Sequence, residues 1–185
     1  MPAYLQIVNK LLSLGAILLQ IITVILFVNL ILFKDFKNKF FKFFNENVLL
    51  LGFIAGLSSV VVSLFYSQIV GYPPCELCWV QRIFLYPQMI LFGLGLYKKD
   101  WSIVDYSLIF AILGSLVSIY HTYIESGGSS SLSCATGALA QSSGQTSCVI
   151  RYVYEFGYIT IPVMCLTLSL FIIAIILNKK YSNKY

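Results

Sequence analysis

Five apolar blocks, each about long enough to cross a bilayer, constrain this chain more than any other feature. They run roughly over 11–33, 48–70, 79–97, 102–123 and 158–178. A hydrocarbon core of ~30 Å takes about 20 helical residues. Helices are the default, because lipid offers no partner to an open backbone group and no block alternates like a barrel strand. Composition agrees: 59% of the 185 residues are hydrophobic and only 10% charged, where a soluble domain keeps about a quarter charged. The expected fold is an all-α membrane protein, a helical bundle without internal repeats.

Charge then orients the bundle. The formal net charge of +5 would suggest an acidic partner in a soluble protein, but here the lysines sit between the apolar blocks. Lys34, Lys37, Lys39 and Lys42 follow the first block, Lys98 and Lys99 separate the third from the fourth, and Lys179, Lys180 and Lys184 follow the fifth. The other side holds Lys10, Arg82 and Arg151. By the positive-inside rule the amino terminus is expected outside and the carboxyl terminus in the cytoplasm. Tyr66, Tyr72, Trp79, Tyr97, Trp101 and Tyr158 fall near the block ends, as interfacial aromatics do. The first block is too long for a cleaved signal, lacks a small-residue cleavage site and carries its positive charge afterwards. No contiguous basic face suits a nucleic acid.

On this topology Cys75, Cys78, Cys134 and Cys148 all face the oxidising side, where disulfides persist. The first two lie in GYPPCELCWVQR (71–82). Pro73 and Pro74 prevent a helix from running through, and Pro74 can open the next one. The Cys-x-x-Cys is therefore expected at or just before the amino end of the third span, where N–H groups and the helix dipole favour a thiolate. From Cys75, Cys78 and Arg82 are i+3 and i+7, on one face. The ordinary reading of Arg82 is snorkelling to the interface, yet an ionisable residue at membrane depth is a functional candidate by default. A guanidinium there can stabilise a thiolate or bind an oxygen of a polar headgroup.

The second pair lies in GGSSSLSCATGALAQSSGQTSC (127–148), flexible by composition. A Cys134–Cys148 bridge would close a loop of about 15 residues, worth ~3 kcal/mol if purely structural. There is little apolar material for it to brace, and an exposed disulfide is one that a partner's thiols can reach. His121, the single histidine, ends the fourth span on the same membrane face. Cys165, inside the fifth span, reads as a small buried hydrophobe. VIRYVYEF (149–156) is expected to form a short helix in the membrane surface. Zinc is disfavoured: structural sites pair ligands as C-x2–4-C, which only the first cysteine pair satisfies, and no metal is expected.

PPCELCWVQR, a span, a short lysine loop, a span ending YHT, a two-cysteine outer loop and GYITIPVMCLTL together resemble the DsbB/BdbC disulfide bond formation proteins. The resemblance covers roughly 47–180 and includes the CxxCxxxR spacing, the order of the cysteine pairs and a histidine thirteen residues before the third cysteine. It implies a four-helix core over 47–185 with an outer redox loop at 124–157. The extra amino-terminal helix, within 1–46, is no part of that pattern. It further implies a bacterial inner-membrane thiol:quinone oxidoreductase that reoxidises a DsbA-like thioredoxin-fold thiol oxidase and passes two electrons to ubiquinone or menaquinone. Cys134 and Cys148 would be the pair the partner attacks, and Cys75 and Cys78 the pair that reoxidises it, with Cys78 engaging the ring. Arg82 and His121 match the quinone-site positions. The vitamin K epoxide reductase family shares the ingredients, but there the loop pair precedes the CxxC. A rival of another class is a non-catalytic scaffold whose disulfides brace its outer loops.

Overall fold

Many leucines and isoleucines face outward in this protein, while a set of asparagine, glutamine and serine side chains faces inward. Leu14, Ile21, Val61, Ile83, Ile90, Leu116 and Ile119 are exposed, and Gln88, Ser107, Ser118, Ser169 and Asn178 are fully buried. Lipid imposes that arrangement, because polar side chains avoid hydrocarbon and pair between helices.

The computed structural model describes residues 3–33, 38–128 and 147–182. Among them run α1 (Ala3–Val28), α2 (Lys39–Glu46), α3 (Val48–Leu64), α4 (Glu76–Lys98), α5 (Ile103–Glu125) and α6 (Ile161–Ser182). Wider π-helical turns prolong α1 over Asn29–Phe33 and α3 over Phe65–Ile69. Among the described residues five segments are long and apolar enough to span a membrane: Tyr4–Leu32, Val48–Ile69, Glu76–Lys98, Ile103–Glu125 and Ile161–Ser182. The chain is an all-helical, multi-pass membrane protein, as its apolar blocks require.

The short α2 is the helix that the block pattern does not announce. Asn38 caps it, accepting the Phe40 N–H at 3.1 Å. Phe44 turns inward onto Phe171, with ring centroids 6.3 Å apart.

Small residues set the helix spacing. A β-carbon on Gly56 of α3 would lie 2.6 Å from the Met89 backbone nitrogen of α4, so the two backbones touch there. On α5, one at Gly114 would lie 3.2 Å from Ser169 Oγ of α6. Polar rungs fix the register of α4 on α5. Gln81 Nε2 donates to Ser118 Oγ at 3.1 Å, and Gln88 Nε2 donates to the Ser107 carbonyl at 3.0 Å.

The first helix rests mainly on α6. Gln20 Nε2 donates to Thr167 Oγ1 at 3.0 Å, and buried Asn178 accepts from Asn29 and donates to the Leu26 carbonyl. At its other end the Tyr66 hydroxyl donates to Asn9 Oδ1 at 2.8 Å. Such bonds average only about 0.6 kcal/mol in membranes, so they set orientation more than strength. An ion pair between Lys180 and Asp105, and Lys179 over the Trp101 ring at 5.0 Å, tie α6 to the start of α5.

Several boundaries shift for local reasons. The α1 helix begins at Ala3, with Lys10 exposed on its flank. Pro74 does not open α4; the helix starts two residues later, because Cys75 itself takes the capping position. The surface helix expected over 149–156 does not form. Phe156 and Gly157 both have positive φ, 52° and 79°, which no right-handed helix tolerates, and the chain doubles back so that Glu155 and Ile159 exchange backbone hydrogen bonds.

Candidate redox centre

The Cys-x-x-Cys is placed by the way α3 stops and α4 starts. Gly71 adopts φ +80°, and the Tyr72 N–H closes back onto the Tyr66 carbonyl at 2.9 Å, a glycine-terminated helix end. Pro73 and Pro74 cannot resume the helix. Cys75 is extended and occupies the N-cap of α4, its Sγ accepting the Cys78 N–H at 3.3 Å. A thiol thus sits where serine or aspartate usually caps.

That cap brings the sulfurs together: Cys75 Sγ and Cys78 Sγ are 2.8 Å apart, with both thiols free. The hydrogen bond between them, and then burial, hold the Cys75 thiol well above the usual thiol range. His121, buried near the end of α5, brings Nε2 to 3.7 Å from Cys75 Sγ. The donor atoms of Cys75, Cys78 and His121 lie within 4.8 Å of one another. Two thiolates on one tetrahedral zinc, with Zn–S bonds of ~2.3 Å, would stand roughly 3.8 Å apart. The observed sulfurs are closer than that and are arranged for bonding to each other.

Cys148 packs into the same cluster, with Cys75, Leu77 and Ile124. It is disulfide-bonded and 2% exposed; Cys134 lies outside the described residues. A small cavity of about 30 Å³, room for one water, is lined by Cys75, Cys78, His121, Glu125 and Cys148. Glu125, one turn beyond His121 and 6% exposed, is a residue that sequence reasoning missed; its i+4 spacing from His121 was the available signal.

Arg82 faces the other way. Its Nε donates to Ser63 Oγ of α3 at 2.9 Å and its Nη2 to the Ser63 carbonyl at 3.4 Å, with the guanidinium 4.8 Å from the Trp79 ring centroid. The arginine is anchored across a helix interface, so snorkelling does not describe it. It lines a second, larger cavity of about 340 Å³, within the range of small-molecule sites. Cys78, Arg82 and Tyr86, at i, i+4 and i+8 on α4, share that cavity. The Tyr86 hydroxyl is buried and has no hydrogen-bond partner among the described residues. An apolar chamber with a guanidinium and an unused hydroxyl suits a flat ring bearing acceptor oxygens. Cys165, a free thiol, also lines it.

Cys78 lines both cavities, as do Tyr152 and Ile161. Tyr152 stacks on Tyr72 at 4.5 Å, which stacks in turn on Tyr66 at 6.0 Å. Burial raises the Tyr152 hydroxyl above its usual pKa, so this part of the wall stays uncharged. His121 lines the small cavity beside the thiols, whereas Arg82 lines the large one.

Comparison with known proteins adds a family to this geometry. The family described as "Disulfide bond formation protein DsbB" matches residues 45–178. The "Probable disulfide formation protein C" of Halalkalibacterium halodurans is 36% identical over 122 residues, 66% of this chain and 85% of that protein. The "Probable disulfide formation protein" of Oceanobacillus iheyensis is 35% identical over 141 residues, 75% of this chain and 94% of its own length. The "SPbeta prophage-derived disulfide bond formation protein B" of Bacillus subtilis is 37% identical over 119 residues, 64% of this chain and 76% of its own. No solved structure matches the chain significantly. A Cys-x-x-Cys at the cap of a membrane helix, beside a third, disulfide-bonded cysteine, is what a disulfide-forming membrane protein needs, and with a match over most of its length the chain belongs to the DsbB family of disulfide bond formation proteins.

Proposed function

We propose that the protein is a thiol:quinone oxidoreductase that reoxidises a DsbA-like thioredoxin-fold thiol oxidase on the extracytoplasmic side. The observation that carries this reading is the position of Cys78, in the wall between a cavity holding Cys148 and one holding Arg82.

The route is a series of balanced exchanges. A partner dithiol attacks the Cys134–Cys148 disulfide, leaving the partner oxidised and both loop cysteines as thiols. The loop dithiol then reduces a Cys75–Cys78 disulfide and recovers its own. A quinone, held beside Arg82, would supply the acceptor for the two electrons and two protons that Cys75 and Cys78 release as their disulfide reforms. Arg82 and the Tyr86 hydroxyl would hold the ring oxygens, and the apolar lining would keep water away. Cys75 lines the small cavity and Cys78 lines both, which makes Cys78 the sulfur that would react across the wall. His121, with Nε2 3.7 Å from Cys75 Sγ, would exchange a proton with the thiols during their exchange, in place of holding the ring.

The test mixes reduced protein anaerobically with a soluble quinone and follows the quinone's ultraviolet absorbance. Stoichiometric consumption is expected; none, with the outer thiols shown to be free, would refute the quinone half. Arg82→Gln should raise the apparent KM for quinone about tenfold, the loss of a charge-assisted hydrogen bond of ~1.5 kcal/mol. Oxidation of a reduced partner by the pre-oxidised variant should proceed at the wild-type rate. An unchanged KM would remove Arg82 from the ring site.

A further inference from the structure

The α1 helix precedes the family match, which begins at residue 45, yet it forms one side of the larger cavity. Leu11, Leu12, Gly15, Ala16 and Leu19 line it, successive positions of one helical face. The clasps described above bracket this stretch: Asn9 to Tyr66 on one side, and Gln20 to Thr167 on the other, where the Tyr158 hydroxyl also donates to Gln20 at 2.9 Å. Because α1 rests mainly on α6, the space between it and Cys78, Arg82 and Tyr86 of α4 is left unfilled.

Two small residues lie at the middle of that wall. A β-carbon at Gly15 would meet nothing within 4 Å. Leu11 and Gly15 are also exposed, so the cavity opens to the bilayer along this edge. The remaining lining comes from α3, α4, α6 and the outer segments carrying Tyr72 and Tyr152, so α1 supplies a side of its own. On the α1 side of the cavity, Gly15 and Ala16 are the positions with the least side-chain bulk.

We infer that α1 is the lipid-side wall of the quinone cavity, and that the gap at Gly15 and Ala16 admits the ring and sets how bulky a ring can bind. The inference rests on the quinone reading proposed above. It makes the first helix part of the binding site and assigns specificity to residues that touch neither thiol.

The test uses the full-length protein in detergent, with a short-chain benzoquinone and a short-chain naphthoquinone as probes. Affinity is read from the rise in melting temperature with added quinone, and KM from quinone consumption. Gly15→Phe should weaken binding about tenfold or more, and the naphthoquinone more than the benzoquinone. Ala16→Leu, a smaller intrusion, should act in the same direction. Leu18→Phe, on an exposed position that does not line the cavity, should bind both probes as the wild type does. Single-turnover oxidation of dithiothreitol by the pre-oxidised Gly15→Phe protein should be unaffected, which shows that the thiol half is intact. If Gly15→Phe and Ala16→Leu bind both quinones like the wild type, the wall assignment is overturned. If the wild type itself gains no stability from either quinone, the quinone reading fails instead.

Discussion

Cys78→Ser should reduce quinone consumption to the level of buffer alone, while the bundle melts within a few degrees of wild type. The reason is geometric. Cys78 is the cysteine of the Cys-x-x-Cys that reaches the larger cavity, whereas Cys75 opens only onto the small one beside Cys148 and His121. Its N–H is also the donor that seats Cys75 in the helix cap, and serine leaves that backbone group in place. Cys75→Ser should also abolish turnover, since no disulfide can then form, but serine is a good N-cap and the fold should hold. Cys165, also in the large cavity, offers a control against a stray thiol: if Cys78→Ser keeps activity that Cys78→Ser/Cys165→Ala loses, electrons are leaving through Cys165. A scaffold with bracing disulfides predicts the reverse pattern, lost stability with no redox activity to lose. Measuring melting temperature beside quinone absorbance separates the two.

The spans were legible because lipid demands a surplus of apolar residues that no loop can imitate. The centre was legible where local chemistry forces it: Pro73 and Pro74 had to break the chain, so Cys75 had to begin a helix. What stayed hidden depends on residues brought together from far along the chain. Nothing near Arg82 announces Ser63 as its anchor, nor could composition reveal that α1 would leave a gap facing α4. The misreading of 149–156 has a different cause. Its mixed composition suits an interfacial helix, but Gly157 directly after Phe156 permits a tight reversal, and the local backbone took it. One signal was present and unread: GFIAG (52–56), small residues four apart inside an apolar span.

That motif carries the largest expected structural effect. Gly56→Val should destabilise the bundle by about 3 kcal/mol or more, toward the upper end of overpacking costs, and lower the melting temperature in detergent accordingly. A β-carbon at Gly56 would stand 2.6 Å from the Met89 nitrogen and 2.8 Å from its Cα. Those are backbone atoms of α4, which cannot swing aside as a side chain would. Gly52 is more forgiving, since its β-carbon would meet the ring of Phe92, at 2.5 Å. Gly15→Ala supplies the contrast: its β-carbon is unopposed, so stability should hold or rise by up to about 1 kcal/mol. Separating α3 from α4 should also reach the site, because Ser63 of α3 holds the Arg82 guanidinium. Gly56→Val protein that still folds at low temperature should therefore show the raised quinone KM of Arg82→Gln, although its own position lies among neither the thiols nor the cavity lining. A Gly56→Val melting temperature equal to wild type would mean that the two backbones do not touch, and the anchoring of Arg82 through α3 would fall with it.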